Sequence, residues 1–446
     1  MTSTDINRTI VDGDVHRDIR PDIRGTIDAV WRIESPRLIA SLTRIVRDVG
    51  IAEDLAQDAL VAALQQWPES GVPDNPGAWL MAAAKHRAID HFRRGTMLER
   101  KHEELGREFA AKELAVPDFN SALDDDVGDD LLRLLFISCH PVLSTDAQVA
   151  LTLRLIGGLT TGEIARAFLV PESTVAQRIV RSKRTLSEKR VPFEVPRGDD
   201  LVARLSSVLA VIYLIFNEGY AATAGDDWMR PALSEEALRL GRVLAELAPR
   251  EPEVHGLVAL MEIQASRSKA RVGPSGEPVL LLDQNRAQWD QLLIRRGLAA
   301  LERSNKLILG QRRGSRGCYV LQAEIAACHA RARTPEETDW PRIVSLYGAL
   351  AQLAQSPVVE LNRAVAVAMA SGPAAGLELV DALTAERSLE NYHLLPSVRG
   401  DLLKKLGRFD EARAEFERAA SLTQNARERQ LLLDRARDCK VHASLP

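Results

Sequence analysis

The sequence predicts an all-α protein. Ala, Leu and Arg dominate a chain of 446 residues in which 4% are aromatic, a composition that favours helix throughout. Apolar residues recur at helical spacing in segment after segment, with no convincing block of strand-like alternation. Residues 159–186, LTTGEIARAFLVPESTVAQRIVRSKRTL, read as two short helices joined by a tight turn. The predicted order is a helical bundle, an acidic linker, a helix-turn-helix domain and a C-terminal helical-repeat array.

Composition narrows the function. The chain is 46% hydrophobic and 27% charged, with a formal net charge of −4. It is therefore expected to be globular, with room for roughly two to four domains. A near-neutral balance gives no global signal for polyanions, so any nucleic-acid contact must come from local basic patches. The cysteines, Cys139, Cys318, Cys328 and Cys439, have no zinc-knuckle or redox spacing and read as free thiols in a reducing compartment. Cys139-His140 resembles a metal pair without partners nearby, so no metal and no cofactor are expected. Residues 1–24 are polar and carry no signal-peptide core. The longest apolar run, Val208 to Phe216, is too short to span a membrane. The expected location is the cytoplasm.

Residues 1–24 form a charged tail without periodicity. Helical pattern starts near Gly25 and carries Ile27, Val30, Trp31, Leu38, Ile39, Leu42, Ile45 and Val46. Pro36 marks a break or a new helix start, and Gly50 is expected to end the segment. Ala52 to Leu64 is a good helix former, with Leu55, Ala59 and Ala62 as a buried stripe and Leu60 and Leu64 beside it. Glu53, Asp54, Gln57 and Asp58 share one acidic face. Acids near a helix start favour the macrodipole, which accounts well for Glu53 and Asp54 and less well for Asp58. The functional reading is a docking face for a basic partner helix.

Pro68 to Pro76 (PESGVPDNP) has the Pro, Gly, Asp and Asn content of a loop. The next segment, GAWLMAAAKHRAIDHFRR, reads as a helix. Trp79, Leu80, Ala83, Ala84, Ala88 and Ile89 can pack inward. Lys85, Arg87, His91, Arg93 and Arg94 make a cationic side with Phe92 interleaved. A basic helix after a polar loop suits a nucleic-acid backbone, and the loop can receive an unstacked base. A solvated helix with arginine at its C-terminal end competes for Arg93 and Arg94. From Pro117 to Asp130 there are six Asp and no Lys or Arg, the signature of an acidic linker.

Leu131 to Ile156 reads as two helices split at Cys139-His140-Pro141, with Ser144 capping the second and Gly157-Gly158 ending it. In the helix-turn-helix, Thr160 and Glu163 fit a capping box. Ile164, Ala165 and Phe168 give the first helix an apolar face, and Pro171 suits the first position of the second. Val175, Ile179, Ser182 and Leu186 fall on one side of that helix; Thr174, Gln177, Arg178, Arg181 and Arg184 point largely elsewhere. Residues 172–190 hold six Lys/Arg against two Glu. A helix that is polar at its start and cationic afterwards suits a major groove. The plainer reading is a helical hairpin with a solvated basic face.

After residues 191–200, expected as a hinge, the pattern stays helical: Leu201–Asn217, Leu233–Leu247 and Pro252–Ser266. Val272–Pro278 and the basic Gly310–Gly317 read as loops. Gly400, Gly407, Phe409, Ala412, Phe416 and Ala419 fit the small-large pattern of one tetratricopeptide unit. Leu361–Ala370 with Gly376–Leu383, and Leu321–Ala330 with Ile343–Leu353, look like degenerate units. One unit cannot bury its own face, so several should stack around a concave surface.

The order of these parts resembles an extracytoplasmic-function (ECF) sigma factor of bacterial RNA polymerase, of the sigma-70 family. AEDLAQDAL resembles that family's core-polymerase docking segment. NPGAWLMAAAKHRAIDHFRR resembles its promoter-melting and minus-10-reading segment, and GLTTGEIARAFLVPESTVAQRIVRSKRTL its minus-35-reading helix-turn-helix. The resemblance implies a mobile tail over 1–24, sigma domain 2 over 25–98, a linker over 99–127 and sigma domain 4 over 128–190, with the helix-turn-helix at 160–186. A hinge at 191–200 and a repeat array over 201–446 follow.

Carried onto this chain, the resemblance implies that Glu53, Asp54, Gln57 and Asp58 contact core RNA polymerase. Asp74, Asn75 and Pro76 would capture a flipped minus-10 base, and Lys85, His86, Arg87, Asp90, Arg93 and Arg94 would line that strand of promoter DNA. Glu172, Ser173, Thr174, Gln177, Arg178 and Arg181 would approach the minus-35 duplex. His86 stands where many members have Asn, and Pro171 replaces a commoner Ser cap. IYLIFNEGYAA, EPEVHGLVALM, QAEIAACHA and SPVVELNRAVAVA are similar to the ECF subgroup with a long C-terminal tetratricopeptide-like extension. That subgroup implies regulation by the extension itself, and a small DGPF-type protein as partner. Such a protein performs no covalent chemistry. The competing readings are a one-component helix-turn-helix regulator with a helical sensor array, and a helical scaffold. Neither needs Asp54 and Gln57, or the helix from Trp79 to Arg94.

Overall fold

The computed structural model describes residues 23–103, 127–168, 170–197, 199–310 and 315–443. The tail and most of the acidic linker lie outside the described residues, as do four positions of the loop at 310–317. The chain divides into two compact units, residues 1–124 and 125–446.

The first unit consists of α1 (Ile23–Val46), α2 (Val49–Ser70) and α3 (Pro76–Glu103). Pro36 does not break α1. It removes one backbone hydrogen bond, but Ile27 and Trp31 before it and Leu38, Ile39 and Leu42 after it are all buried, and this packing carries the helix through. Gly50 does not end the segment. Arg47 turns the chain with φ of 55°, and Asp48 caps α2 by accepting from the Ile51 N–H at 3.0 Å, so Gly50 lies inside α2. The second helix also outruns its expected end and passes through Pro68 to Ser70. Its inner face is rich in alanine (Ala52, Ala56, Ala59, Ala62 and Ala63), which lets α1 and α3 approach closely. Trp67, fully buried, meets Trp79 of α3 edge-on at 5.3 Å and pins the loop between them.

The second unit begins with four helices, α4 (Val127–Ser138), α5 (Thr145–Leu155), α6 (Thr161–Phe168) and α7 (Glu172–Glu188). The split at Cys139-His140-Pro141 falls where the sequence puts it. Gln148 fastens it, its side-chain amide donating to the Cys139 and His140 carbonyls. Residues 191–197 then lead to α8 (Asp199–Tyr220), which packs on α4 and α5. The segment expected as a hinge thus joins two parts of one compact unit.

The array continues through α9 (Pro231–Leu247), α10 (Pro252–Ala265), α11 (Gln291–Gly310), α12 (Cys318–Arg331) and α13 (Trp340–Ala354). It ends with α14 (Pro357–Ser371), α15 (Pro373–Leu383), α16 (Leu394–Lys405), α17 (Phe409–Leu422) and α18 (Ala426–Ala443). Largely apolar on every face, α10 is buried from Val254 to Ile263 between α9, α11 and α12, with the buried Glu262 paired to Arg242 at 2.8 Å. The three expected repeat units are the pairs α12/α13, α14/α15 and α16/α17. In the last, Gly400 lets the Phe416 ring press on α16: a Cβ there would stand 2.9 Å from it. Gly407, at φ of 76°, makes the turn.

One feature of the array was not expected. β1 (Ala224–Gly225) pairs in parallel with β2 (Gln424–Asn425). Asn425, with no exposed surface, donates to the Ala222 and Asp227 carbonyls, and its Oδ1 accepts from the Arg427 and Glu428 N–H groups. The last helix is thereby stapled to the loop after α8. No helix among the described residues is long and apolar enough to cross a membrane.

Candidate nucleic-acid interface

The helix-turn-helix is built as its sequence prescribes. The Glu163 N–H donates to Thr160 Oγ1 at 3.1 Å, and the Thr160 N–H donates to Glu163 Oε2 at 2.8 Å. This reciprocal box satisfies two orphan donors at the start of α6. Ile164 and Ala165 are buried and Phe168 is half-buried. Pro171 is the N-cap of α7 rather than its first helical residue, and its carbonyl accepts from Thr174 at 2.9 Å. The buried residues of α7 are Val175, Ile179, Ser182 and Leu186, seated on α5 and α6.

The opposite face of α7 is open. Glu172, Ser173, Gln177, Val180, Arg181 and Arg184 are exposed, and Thr174 is half-buried. Arg178 is turned to Asp146 of α5 at 2.9 Å. Arg184 pairs with Glu188 one turn on, at 2.6 Å, leaving Arg181 as the exposed cation nearest the start of the helix.

Three arginines of the array hold the domain by the ends of α4, α5 and α6. Arg204 of α8 donates to the Phe136 carbonyl in the last turn of α4 at 2.7 Å. Arg239 of α9 donates to the Ile156 carbonyl at the C-cap of α5 at 2.6 Å, while Glu236 grips the same guanidinium. Arg230 donates to the Ala167 carbonyl near the end of α6, and also binds Glu218 and the Ala224 carbonyl. Each guanidinium meets a helix C-terminus, where carbonyls lack intrahelical partners and the dipole is negative. Ser207 adds a bond to the Cys139 carbonyl at 3.0 Å.

In the first unit the acidic face of α2 is smaller than expected. Glu53, expected on that face, is 3% exposed and belongs instead to the buried side of α2. Asp54 and Asp58 are exposed and Gln57 is half-buried. Val61 and Leu64, 46% and 41% exposed, continue the same side of the helix. Leu64, expected beside the core, faces outward, and the i, i+3, i+7, i+10 spacing of Asp54, Gln57, Val61 and Leu64 is the signal for that face.

Asp74 and Asn75 are exposed and Pro76 is half-buried. Asn75 Oδ1 accepts from the Ala78 N–H at 3.0 Å, so this side chain caps α3. His86 is exposed and Lys85 is half-buried. Arg87 reaches Asp58 of α2 at 3.3 Å, so an ion pair joins the expected docking face to the expected DNA helix. The Asp90, Arg93 and Arg94 side chains lie outside the described residues. Among the described residues, no His, Cys, Asp and Glu cluster is arranged to hold a metal ion. The three clasping arginines carried no sequence signal, because their acceptors are backbone carbonyls distant in the chain.

A three-helix unit with an acidic-apolar face, and a helix-turn-helix with an open cationic helix, define a DNA-binding protein of the transcription machinery. Sigma-70 region 2 matches residues 31–96, Sigma-70 region 4 matches residues 133–186, and a family of unknown function (DUF6596) matches residues 204–305. An uncharacterized protein of Rhizobium meliloti is 42% identical over 409 residues, which is 91% of this chain and 93% of that one. The probable ECF RNA polymerase sigma factor SigI of Mycobacterium tuberculosis is 26% identical over 169 residues, 38% of this chain and 57% of that protein. A probable RNA polymerase sigma-C factor of Mycobacterium bovis is 27% identical over 164 residues, 37% of this chain and 78% of that protein. The chain belongs to the ECF sigma factors of the sigma-70 family, in the form with a long C-terminal helical extension, and its function is promoter recognition.

Proposed function

We propose that this sigma factor binds core RNA polymerase through α2 and grips promoter DNA with α3 and α7, while its extension braces the minus-35 domain. The docking face is Asp54, Gln57 and Asp58, with Val61 and Leu64 as its apolar continuation. Asp74, Asn75 and Pro76 receive a minus-10 base, and Lys85, His86, Arg87, Asp90, Arg93 and Arg94 follow that strand. The minus-35 duplex meets Glu172, Ser173, Thr174, Gln177, Arg178 and Arg181. Exposure of Gln177 and Arg181 opposite the buried stripe of α7 carries the reading.

The extension acts as a brace and not as a cover, because its arginines engage the ends of α4, α5 and α6 rather than α7. Run-off transcription with purified core polymerase tests the whole assignment. Full-length chain directs transcription from a defined start, and truncation at Pro196 abolishes it. Stronger initiation by the truncated chain would make the extension an inhibitor. The subgroup resemblance adds a small DGPF-type protein as a proposed partner of the array.

A further inference from the structure

The array frames a partly open cavity of about 470 Å³ between α8, α10, α12, α13 and α14, within the range of small-molecule sites. Its polar lining includes Tyr213, Gln264, Arg267, Gln322, His329 and Tyr347; Leu260 and Leu350 are among its apolar walls. Among the described residues, the lining has one cation, Arg267, and no carboxylate. Tyr213 and Gln322 are bonded to each other at 3.2 Å. His329 Nδ1 is buried without a hydrogen-bond partner.

Behind this wall stands a ladder of cations and rings. Trp289 lies between Arg286 and Arg267, at 4.7 and 5.8 Å from its centroid. Tyr220 lies between Arg267 and Arg271, at 5.8 and 3.5 Å. Among the described residues, no salt bridge joins any of the three arginines to a carboxylate. Glu336 and Glu337 act on Arg286 only through space. Ring faces offset part of the cost of gathering like charges, but a surplus of positive charge beside a partly enclosed cavity remains unfavourable. An apolar chamber with convergent polar groups and a surplus of one charge is the pattern of a ligand site.

We propose that this cavity binds a small organic anion, its carboxylate or phosphate group on Arg267 and His329 and its apolar body against Leu260 and Leu350. Arg267 donates from Nη2 to the Tyr220 hydroxyl at 2.7 Å, and its other N–H groups are of the kind that oxyanions accept. The absence of lining carboxylates selects against cations, and the apolar walls select against inorganic phosphate alone. The inference does not depend on the polymerase reading, because the site lies wholly in the array.

Isothermal titration of the full-length chain tests it, with octanoate, octyl phosphate and neutral 1-octanol as probes. At least one anion is expected to bind one to one, and 1-octanol at least about tenfold more weakly, the loss of a charge-assisted bond. Preference for octyl phosphate identifies a phosphate ligand, and preference for octanoate a carboxylate. Arg267→Met is expected to weaken anion binding by about tenfold or more, and Leu350→Trp to abolish it by filling the chamber. Circular dichroism reports whether each variant is folded. Should Arg267→Met unfold, the milder Arg267→Lys and Leu350→Trp carry the comparison. Failure of both anions to bind overturns the proposal. So does equal binding of 1-octanol, or binding indifferent to changes at both Arg267 and Leu350.

Discussion

Arg239 reaches across from α9 to place Nη2 2.6 Å from the Ile156 carbonyl, at the C-cap of α5. With Arg204 on α4 and Arg230 on α6, it makes the array the cap of three helices in the minus-35 domain. A hydrogen bond from a charged donor is worth about 1.5–3 kcal/mol. Arg239→Ala is therefore expected to destabilise the protein by roughly 1–3 kcal/mol. Arg230→Ala is expected to cost more, because it also removes the cation paired with the half-buried Glu218 carboxylate, which among the described residues then keeps only its bonds to Thr223. Urea denaturation followed by circular dichroism measures both, and wild-type midpoints would remove the clasp from the account.

Arg178 and Arg181 differ in their partners. The Arg178–Asp146 pair is half-exposed on one side and exposed on the other, so it contributes about 0–1 kcal/mol. Asp146→Ala should leave stability nearly unchanged and free Arg178 for DNA. Arg181→Ala should weaken minus-35 binding and lower the salt slope by about one if its contact is to phosphate. A salt titration of fluorescence anisotropy on promoter fragments reads both. An Arg181→Ala curve superimposed on wild type excludes that residue from the interface.

The α2 face combines charge with exposed aliphatic surface, and the two act differently. Asp54→Ala is expected to slow association with core polymerase, with the effect fading at high salt. Val61→Ala with Leu64→Ala is expected to speed dissociation at any salt, since buried apolar area has no ionic screening. Surface plasmon resonance on immobilised core enzyme separates the rates. Unaltered kinetics in all these variants would move the docking face elsewhere.

His329 gives the protein a dependence on pH. Burial, with Arg267 and Arg286 nearby, lowers its pKa from 6.5 to about 4. The unfolded chain therefore takes up this proton first as pH falls. Stability is full above about 6.5 and is lost progressively towards 4, by roughly 2–3 kcal/mol for this group. His329→Phe should flatten the profile across that interval. A melting temperature equally steep in pH for the variant would assign the dependence to other groups.

Asn425 closes the array. Removal of its amide leaves the Ala222 and Asp227 carbonyls without this donor. It also deprives the N–H groups of Arg427 and Glu428 of their acceptor at the start of α18. Asn425→Ala should cost about 2–4 kcal/mol, since each unsatisfied buried group costs about 1–3. Hydrogen exchange should quicken in α18. Protection equal to wild type there would show that the β1–β2 pairing holds without the staple.

Much of this was legible in the residues. The capping box at Thr160–Glu163, the stripe Val175–Ile179–Ser182–Leu186 and the Gly400–Phe416 pair are local patterns, each within a few turns of chain. Helix continuity through Pro36 and Pro68 was not legible, since packing on neighbouring helices outweighs the local defect. Nor was the inward turn of Glu53, which sits among acids that do face out.

The sequence by itself determined the helices, their order, the polarity of α7 and membership of the sigma family, because these follow from periodicity and short motifs. The tertiary structure alone decided which carbonyls Arg204, Arg230 and Arg239 would find, and that Arg267 would line one cavity with His329 while Arg271 and Arg286 stand behind it. It also decided that Asn425 would meet Ala222. Backbone acceptors are identical at every position in a sequence, and only the folded path of the chain distinguishes one from another.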